Sequence, residues 1–222
     1  MASATLARLA NLPWSRYIPQ QPTPKQLAFL ALTCQEAFYG GAAGGGKSSA
    51  LLMGALQYVD TPGYAAILFR RTYPDLALPG ALMDRAAEWL GGGGAHWRGA
   101  DKTWSFPSGA TLTFGYLETE LDKFRYQGAE FSFIGFDEAT SFSESQYRYL
   151  FSRLRRQAGS PVPLRMRAAS NPGGVGHDWV RQRFITEGAA QGRPWVRASL
   201  PDNPHLDRET YVRSLMNLDP IT

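Results

Sequence analysis

Short, mainly apolar runs divide the chain at intervals. Three of them, over 36–39, 65–69 and 131–136, have the length and composition of strands that are buried on both faces of a parallel sheet. Helix-forming stretches stand between them, and the clearest begins at Lys47. This alternation predicts an α/β domain whose central, mostly parallel sheet is flanked by helices.

Further elements follow from the same pattern. Residues 103–106 and 110–114 flank a Pro-Ser-Gly turn and predict a β-hairpin inserted into the α/β alternation. Thr23 ahead of Pro24 predicts the start of the first helix. The remaining predictions are strands over 164–169 and 195–200, and helices over 75–90 (interrupted at Pro79 and Gly80), 143–156, 177–184 and 207–216.

A glycine-rich stretch after the first strand carries the strongest chemical signal. From Gly41 to Ser48 it matches G-x-x-x-x-G-K-S, the phosphate-binding loop of P-loop NTPases. Glycine exposes backbone N–H groups to a polyphosphate, Lys47 can reach the β- and γ-phosphates, and Ser48 can ligate Mg²⁺. The predicted nucleotide-binding residues of this stretch are Gly41, Ala42, Ala43, Gly44, Gly45, Gly46, Lys47, Ser48 and Ser49.

Asp137 and Glu138 directly follow the apolar run at 131–136. In a P-loop protein, an Asp at this place holds Mg²⁺, directly or through water, and a Glu after it can orient and deprotonate the attacking water. A plain helix N-cap is the alternative interpretation, and it would be the better one for an isolated Asp-Glu pair. The strong phosphate-binding motif upstream favours the catalytic interpretation.

Other polar groups gain meaning from their position. Ser170 and Asn171 follow a predicted strand and would lie beside the γ-phosphate if that strand neighbours the phosphate-loop strand, although the Pro-Gly-Gly after them also signals a turn. Arg70 and Arg71 end another strand, where they could touch phosphate or DNA or pair with local carboxylates. Gln26 could hydrogen-bond adenine, or it could be a surface side chain of an amphipathic helix.

Composition narrows the class of protein. The 222 residues suit one domain or one and a half, and 44% are hydrophobic, enough for a sizeable core. Cys34 is the only cysteine, which excludes an internal disulfide and a cysteine-based metal site and is compatible with a reducing cytoplasm. No stretch approaches roughly 20 apolar residues, so we expect no membrane span and no secretory leader.

The charge of the chain is mildly positive. The net value is +4, from 23 Lys and Arg against 19 Asp and Glu. Most of these cations are arginines, which bind phosphate through a bidentate fork and suit nucleic acid, but genomic base composition or thermal adaptation would produce the same bias. Charge alone therefore does not assign DNA binding. Candidates for contacts with DNA or another subunit are Arg70, Arg71 and the arginines over 148–167.

In combination, these residues resemble the ATPase domain of the large terminase subunit of tailed bacteriophages, the motor that pumps DNA into the procapsid. The resemblance covers about residues 24–215. It implies a P-loop fold of the additional-strand, RecA-like class, with the catalytic Glu138 at the end of a strand beside the phosphate-loop strand. The matching stretches, in family order, are Pro24-Lys25-Gln26, Gly40 to Ser48, Ala65 to Thr72, Arg125-Tyr126-Gln127-Gly128, Phe133 to Ser141, and Ala169 to Gly173.

The resemblance also implies roles for single residues. The strand-end Asp-Glu pair matches the family's Mg²⁺ ligand and catalytic base, and Gln26 resembles its adenine-contacting Gln. Ser170 and Asn171 resemble the motif that couples hydrolysis to movement. Arg125 resembles an arginine finger that acts on the site of a neighbouring subunit, although Tyr-Gln-Gly follows it here instead of Gly directly.

On this resemblance, the chain hydrolyses ATP with Mg²⁺ and translocates double-stranded DNA in the host cytoplasm. The implied partners are the portal protein, the small terminase subunit and further copies of the chain, in a ring on the procapsid and as a monomer in isolation. The expected organisation is an N-terminal arm over 1–19, an ATPase core over 20–190, and a lid or linker over 191–222. The nuclease domain of such subunits is expected to be absent from this chain.

Other classes of protein remain open at this point. A DEAD-like helicase or translocase is compatible with Asp-Glu-Ala-Thr at 137–140, but it needs a second RecA-like domain. A small-molecule P-loop kinase needs an acceptor pocket and a lid, and it usually lacks a Glu after the strand-end Asp. A binding module with an inactive ATPase site is disfavoured, because all the residues that hydrolysis needs are present.

Overall fold

One sheet organises the part of the chain that the computed structural model describes, residues 12–215. Residues 1–11 of the predicted arm and 216–222 of the predicted lid lie outside the described residues. In chain order, the strands are β1 (Glu36–Gly41), β2 (Ala65–Arg70), β3 (His96–Arg98), β4 (Thr103–Ser105), β5 (Thr111–Tyr116), β6 (Phe133–Asp137), β7 (Arg165–Ser170) and β8 (Trp195–Ala198).

Helices connect these strands. They are α1 (Pro24–Leu30), α2 (Lys47–Leu56), α3 (Tyr73–Ala77), α4 (Leu82–Leu90), α5 (Glu144–Tyr149), α6 (His177–Val180) and α7 (Arg208–Leu215). Tighter 3₁₀ segments span Glu120–Tyr126, Ala139–Ser141, Leu150–Arg153 and Leu200–Asp202, and Arg181–Thr186 is a π-helix. No helix between residues 12 and 215 is long and apolar enough to cross a membrane.

The strand order across the sheet is β3-β4-β5-β2-β6-β7-β1-β8. Every pair from β5 to β8 is parallel, whereas β4 pairs antiparallel with β5 and with β3. This confirms the predicted α/β fold with a mostly parallel sheet, and the β4–β5 pair is the predicted hairpin. Because parallel strands end at one edge, the loops after β1, β2, β6 and β7 meet there.

The position of β6 corrects one expectation. The sequence places the strand that ends in Asp137 and Glu138 directly beside the phosphate-loop strand, and this is wrong. β6 pairs with β2 and β7, while β1 pairs with β7 and β8. β7 is therefore the additional strand between them, and all of its residues are buried, because neighbours cover both of its edges and both faces of the sheet.

Burial of β7 corrects a second expectation. Arg165 and Arg167 belong to the range 148–167 that is predicted to offer contacts to DNA or another subunit, yet they are 5% and 2% exposed. Arg167 donates to three backbone carbonyls between Leu32 and Gln35 at 3.0–3.1 Å. These acceptors offset the cost of burying its charge, and the arginine ties β7 to the connection between α1 and β1.

The predicted interruption of the helix over 75–90 is confirmed. The segment is divided into α3 and α4, because Pro79 has no N–H and Gly80 takes a φ of 75°. The helix over 143–156 is α-helical only to Tyr149 and continues as a 3₁₀ turn. The sequence missed β3, which is short and largely exposed. Thr23 caps α1 as predicted.

Two apolar clusters cover the two faces of the sheet. Alternate residues of β1 and β2 point into them, with Ala37 and Leu68 in one cluster and Phe38 and Phe69 in the other. Residues 49–56 of α2 are all buried. The helix that follows the phosphate loop is therefore fixed in the core, and its first residues have a defined position at the sheet edge.

Candidate nucleotide-binding site

The loop between β1 and α2 has the backbone that its glycines predict. Gly41, Gly44 and Gly46 have φ values of 142°, 80° and 72°, a region that side chains disfavour. A Cβ at Gly41 would lie 1.9 Å from the carbonyl oxygen of Ala198 on β8, so glycine also permits a close approach of two backbones here. The strand, loop and helix that the motif requires are confirmed.

Lys47 and Ser48 begin α2 and lie close to the end of β6. The Oγ of Ser48 lies 3.1 and 3.0 Å from the two carboxylate oxygens of Asp137. The Nζ of Lys47 donates to the carbonyl oxygen of Ala42 at 2.7 Å. Burial lowers the pKa of Lys47, and the negative charges of Asp137 and Glu138 oppose that shift. The amine thus lies within the phosphate loop, under the influence of two carboxylates.

Arg70, whose role the sequence left open, holds both carboxylates. It is the last residue of β2, and it donates from Nε to Asp137 at 2.9 Å and from Nη2 to Glu138 at 3.0 Å. Of the alternatives that the sequence left open for Arg70, the structure shows the pairing with local carboxylates. Arg71 instead donates to the carbonyl oxygen of Leu117, so it anchors the chain after β5.

Glu138 combines an unusual backbone with a perturbed carboxyl group. Its φ of 54° is in the left-handed region, which non-glycine residues adopt mainly where surrounding structure enforces it. Burial raises the pKa of Glu138; the positive charge of Arg70 opposes this shift, and the negative charges of Asp137 and Asp75 add to it. The side chain is still 49% exposed. A carboxylate with a raised pKa and access to water can act as a general base.

Lys47, Ser48, Asp137 and Glu138 line one cavity of about 470 Å³, a size typical of small-molecule sites. Gly41, Ala42 and Gly45 are the predicted loop residues that do not line it. The predicted residues that do are Ala43, Gly44, Gly46, Lys47, Ser48, Ser49, Asp137, Glu138, Ser170 and Asn171. Lining residues that the sequence analysis missed are Gln20, Arg85, Glu88, Trp89, Asn203, His205, Leu206 and Tyr211.

Two of the missed residues hold the phosphate loop and the start of α2. Arg85 on α4 donates to the Oγ of Ser49 at 2.6 Å, and the Nδ2 of Asn203 donates to the carbonyl oxygen of Gly44 at 2.7 Å. Neither belongs to a recognisable motif, and both are far from the loop in sequence. Tertiary structure alone brings them to the site, so no local signal could have identified them.

Ser170 ends β7 and Asn171 follows it. This strand pairs with the phosphate-loop strand, which meets the condition set in the sequence analysis, and the place of the two residues beside the γ-phosphate stays a prediction. The Oγ of Ser170 is 2.7 Å from the Oγ1 of Thr140, two residues after Glu138. A hydrogen bond therefore links the end of β7 to the turn that carries the candidate base.

Two predicted site residues are placed elsewhere. Gln26 is 1% exposed, and its amide accepts from the N–H of Thr23 and donates to the carbonyl oxygen of Gly46, both at 2.9 Å. It supports the phosphate loop, and the adenine contact stays a prediction. Arg125 pairs with Asp122 at 3.1 Å and does not line the cavity of its own chain.

Oxygen ligands at the start of α2 and at the end of β6 fit Mg²⁺. The hydroxyl of Ser48 and the carboxylate of Asp137 are oxygen ligands, and Mg²⁺ commonly takes its remaining ligands from water and substrate phosphates. Within residues 12–215, no group of three or more His, Cys, Asp and Glu side chains could hold a metal ion.

Comparison with known proteins gives one family. The family described as "Terminase large subunit, T4likevirus-type, N-terminal" matches residues 38–178. This range is more than half of the chain, and it contains the phosphate loop, the Asp-Glu pair and the end of β7. No curated protein is similar enough in sequence to count as a match.

Solved structures of phage terminases share the fold at low sequence identity. The large terminase of a thermophilic bacteriophage is 16% identical, with a TM-score of 0.68 over 91% of this chain and 52% of that chain. The large terminase ATPase domain of Thermus phage P74-26 is 15% identical, with a TM-score of 0.61 over 92% of both chains. The HK97 bacteriophage large terminase is 13% identical, with a TM-score of 0.62 over 94% of this chain and 52% of that chain.

This chain spans about half the length of the thermophilic phage terminase and about half the length of the HK97 terminase. Two further structures of the thermophilic phage terminase are complexes with ATP-γ-S and with ADP.

Proposed function

The chain belongs to the family of T4likevirus-type terminase large subunits, and we propose that it is the ATPase part of a viral DNA-packaging motor. It binds ATP with Mg²⁺, hydrolyses the bond to the γ-phosphate and uses the cycle to move double-stranded DNA into a procapsid. The observation that carries this proposal is the convergence of Lys47, Ser48, Asp137 and Glu138 on one cavity. The nucleotide complexes of the thermophilic phage terminase support ATP as the substrate.

Phosphate binding begins with the backbone. The N–H groups of the loop and the amino end of α2 present positive charge to the phosphates. The amine of Lys47 exchanges its acceptor on Ala42 for oxygens of the β- and γ-phosphates. Ser48 and Asp137 would hold Mg²⁺, which when bound neutralises charge on the phosphates.

Glu138 is the general base of the proposed reaction. Its carboxylate orients the attacking water and accepts a proton from it. The raised pKa of Glu138 makes it a stronger base than an ordinary glutamate. Arg70 fixes the direction of the carboxylate through its hydrogen bond, so we assign it as a positioning residue.

The remaining roles extend beyond one active site. Ser170 and Asn171 couple the state of the cavity to movement, since Ser170 is bonded to the turn after Glu138. Arg125 acts on the cavity of a neighbouring copy, and its side chain is 53% exposed and accessible to another subunit. The assembly is a ring of copies on the procapsid, with the portal protein and the small terminase subunit, in the host cytoplasm.

Contacts with DNA are proposed for Arg148 and Arg155, whose side chains are 68% and 56% exposed. If they contact phosphates, the affinity for a DNA duplex falls steeply with salt, because bound cations are released from the DNA. Replacing both by Ala should reduce the slope of log affinity against log salt by about 2. A flat response of the parent chain contradicts the assignment.

Steady-state phosphate release per protomer, measured against protein concentration, tests the ATPase proposal. Lys47→Ala provides the blank, and Lys25→Ala changes an exposed lysine of α1 as the matched control. We expect the parent and Lys25→Ala to hydrolyse ATP. A rate that rises with concentration indicates sites completed between subunits, and a constant rate indicates a self-sufficient site. Release no greater than the blank at any concentration contradicts the proposal for this chain.

A further inference from the structure

A second cavity adjoins the nucleotide cavity. It measures about 480 Å³, and Ser170 and Asn171 line both cavities. Gly41 and Ala42 of the phosphate loop also line the second cavity, although neither lines the first. A ligand in the second cavity would therefore touch the phosphate loop and the end of β7 without entering the proposed nucleotide site.

Apolar side chains from four elements line this second cavity. They include Phe38 of β1, Val180 of α6, Ile185 of the π-helix and Trp195 of β8. Ile185 is 45% exposed, and the π-helix that carries it is a rare conformation that is frequent at functional sites. An apolar cavity of this volume is typical of small-molecule sites.

Two arginines without partners line the same cavity. They are Arg181 and Arg197, and both are exposed. Among the arginines whose side chains are described, these are the two whose side chains have no hydrogen bond, ion pair or aromatic contact. Trp195 also lines the cavity, but its Nε1 is buried and has no acceptor, so the indole contributes an apolar ring to the wall. A ligand anion would supply the acceptors that the two guanidinium groups lack.

We propose that the second cavity is a binding site for an organic anion with an apolar body, of the aromatic carboxylate or sulfonate class. Arg181 and Arg197 hold the anionic group, and charge-assisted bonds of this kind are among the stronger ones in proteins. Phe38 and Ile185 contact the apolar body. An inorganic anion would leave the apolar walls in contact with water, and a neutral molecule would leave both arginines unpaired.

Occupancy of the second cavity changes nucleotide affinity, an inference that rests on the proposed ATPase function. The carbonyl oxygen of Ala42 holds Lys47 in this structure, and Ser170 is bonded to Thr140. Both contacts lie in the wall between the cavities. Because Lys47 must leave Ala42 to meet phosphate, a ligand pressed against Ala42 stabilises one arrangement over the other and couples the two sites.

Fluorescence titration of the 222-residue chain with 1-anilinonaphthalene-8-sulfonate, an aromatic sulfonate, tests the site. We expect one probe per chain. Arg181→Met and Arg197→Met each remove a donor and keep an apolar side chain, and each should weaken binding about tenfold. Arg98→Met changes an exposed arginine of β3 as the control. It should bind the probe like the parent.

Parent-like probe affinity in both Arg181→Met and Arg197→Met overturns the site, as does a stoichiometry above one. Sulfate that displaces the probe at equal concentration overturns the apolar part of the assignment, and the result is then an inorganic anion site only.

Titration with ADP, with and without the probe, tests the coupling. We expect the Kd for ADP to change at least about fivefold and to reach a plateau as the probe saturates. A change without a plateau indicates competition for one cavity and overturns the second site. An unchanged Kd overturns the coupling alone. If ADP does not bind, the proposed ATPase function and the coupling are both contradicted. The probe titration still decides whether the second cavity is a binding site.

Discussion

At the scale of single residues, the site is a set of charged groups that depend on one another. Arg70 contacts Asp137 and Glu138, and Ser48 contacts both carboxylate oxygens of Asp137. Hydrogen bonds in such a network polarise one another, so a change at one position alters the others. Glu138 is the member on which the proposed chemistry depends most.

Glu138→Gln keeps the size of the side chain and removes the proton acceptor. We expect the variant to bind ATP and Mg²⁺ with an affinity near that of the parent and to hydrolyse ATP about 10²–10⁴-fold more slowly. Calorimetry and single-turnover hydrolysis measure the two effects separately. Glu88→Gln changes another carboxylate of the same cavity and should affect neither. Hydrolysis by Glu138→Gln at the parent rate would assign the base to another group.

The perturbed pKa of Glu138 predicts an acid limit to the hydrolysis rate. The base must be unprotonated, so the rate falls as the pH decreases through this pKa, which lies above the ordinary value of 4.5. Because Arg70 lowers the pKa of Glu138, Arg70→Met should move the acid limb of the pH–rate profile to higher pH. Arg98→Met should leave it in place. A limb that stays or moves to lower pH in Arg70→Met contradicts the assignment.

Sequence could identify Lys47, Ser48 and Asp137 because each belongs to a short motif with its own chemical logic. Arg85 and Asn203 could not be identified, because they reach the phosphate loop and the start of α2 across 36 and 159 residues. Arg70 is an intermediate case. Its place at a strand end marked it as a candidate site residue, but only the fold decides which of its possible partners it contacts.

At the scale of elements, the phosphate loop is confined by β8 as well as by its own glycines. Gly41→Ala would place a Cβ 1.9 Å from the carbonyl oxygen of Ala198, at a φ of 142°. The backbone conformation alone costs a side chain about 1–3 kcal/mol, and the clash adds to it. We expect the free energy of unfolding, measured in urea, to fall by at least about 2 kcal/mol, together with a loss of ADP affinity.

Gly92→Ala is the matched control for this change. The space around a Cβ at Gly92 is open, and we expect the stability to stay within about 0.5 kcal/mol of the parent. If Gly41→Ala has the same stability as Gly92→Ala, the close approach of β1 and β8 is not a constraint on the loop.

The sequence predicts the burial of some strands correctly and that of others not. β2 and β6 are apolar throughout most of their length, and the pattern identified both. β7 carries Arg165 and Arg167, which indicate a surface strand, whereas backbone carbonyls compensate Arg167 inside the protein. The order of parallel strands depends on connections across the sheet, so no local pattern could place β7 between β1 and β6.

At the scale of the whole molecule, the nucleotide cavity of a single chain is lined by Arg85 but not by Arg125, the predicted arginine finger. Arg70 contacts the two carboxylates from within the same chain. An arginine supplied by another copy would make hydrolysis depend on assembly, and such a contribution is worth about 10³–10⁵ in rate in other NTPases.

A mixture of Glu138→Gln and Arg125→Ala chains tests this dependence. Each variant alone should hydrolyse ATP slowly, one for lack of the base and the other for lack of the arginine. In the mixture, Glu138→Gln chains supply Arg125 to partners with an intact base, so the phosphate-release rate should exceed the sum of the separate rates. Replacing the first partner with the double variant should abolish the gain. A purely additive rate excludes a finger in trans.

The domain limits at 19 and 190 stay predictions at this scale. Within the segment predicted as a lid or linker, Asn203 is bonded to Gly44, and Leu206 and Tyr211 line the nucleotide cavity. The alternation of apolar runs was enough to predict the fold class, because it reports burial. The same alternation gives no information about which distant segments meet at the phosphate loop.

The strand inserted between β1 and β6 has a consequence for how such a protein can evolve. Neighbouring strands lie roughly 4.8 Å apart, so β7 sets a separation of roughly 10 Å between the strand of the phosphate loop and that of Asp137. Backbone hydrogen bonds fix this separation, and nearly any side chain is compatible with them. A lineage can thus replace most of its residues and keep its reacting groups at a constant distance. The thermophilic phage terminase shares the fold at 16% identity, with a TM-score of 0.68, so the backbone geometry persists where most side chains differ.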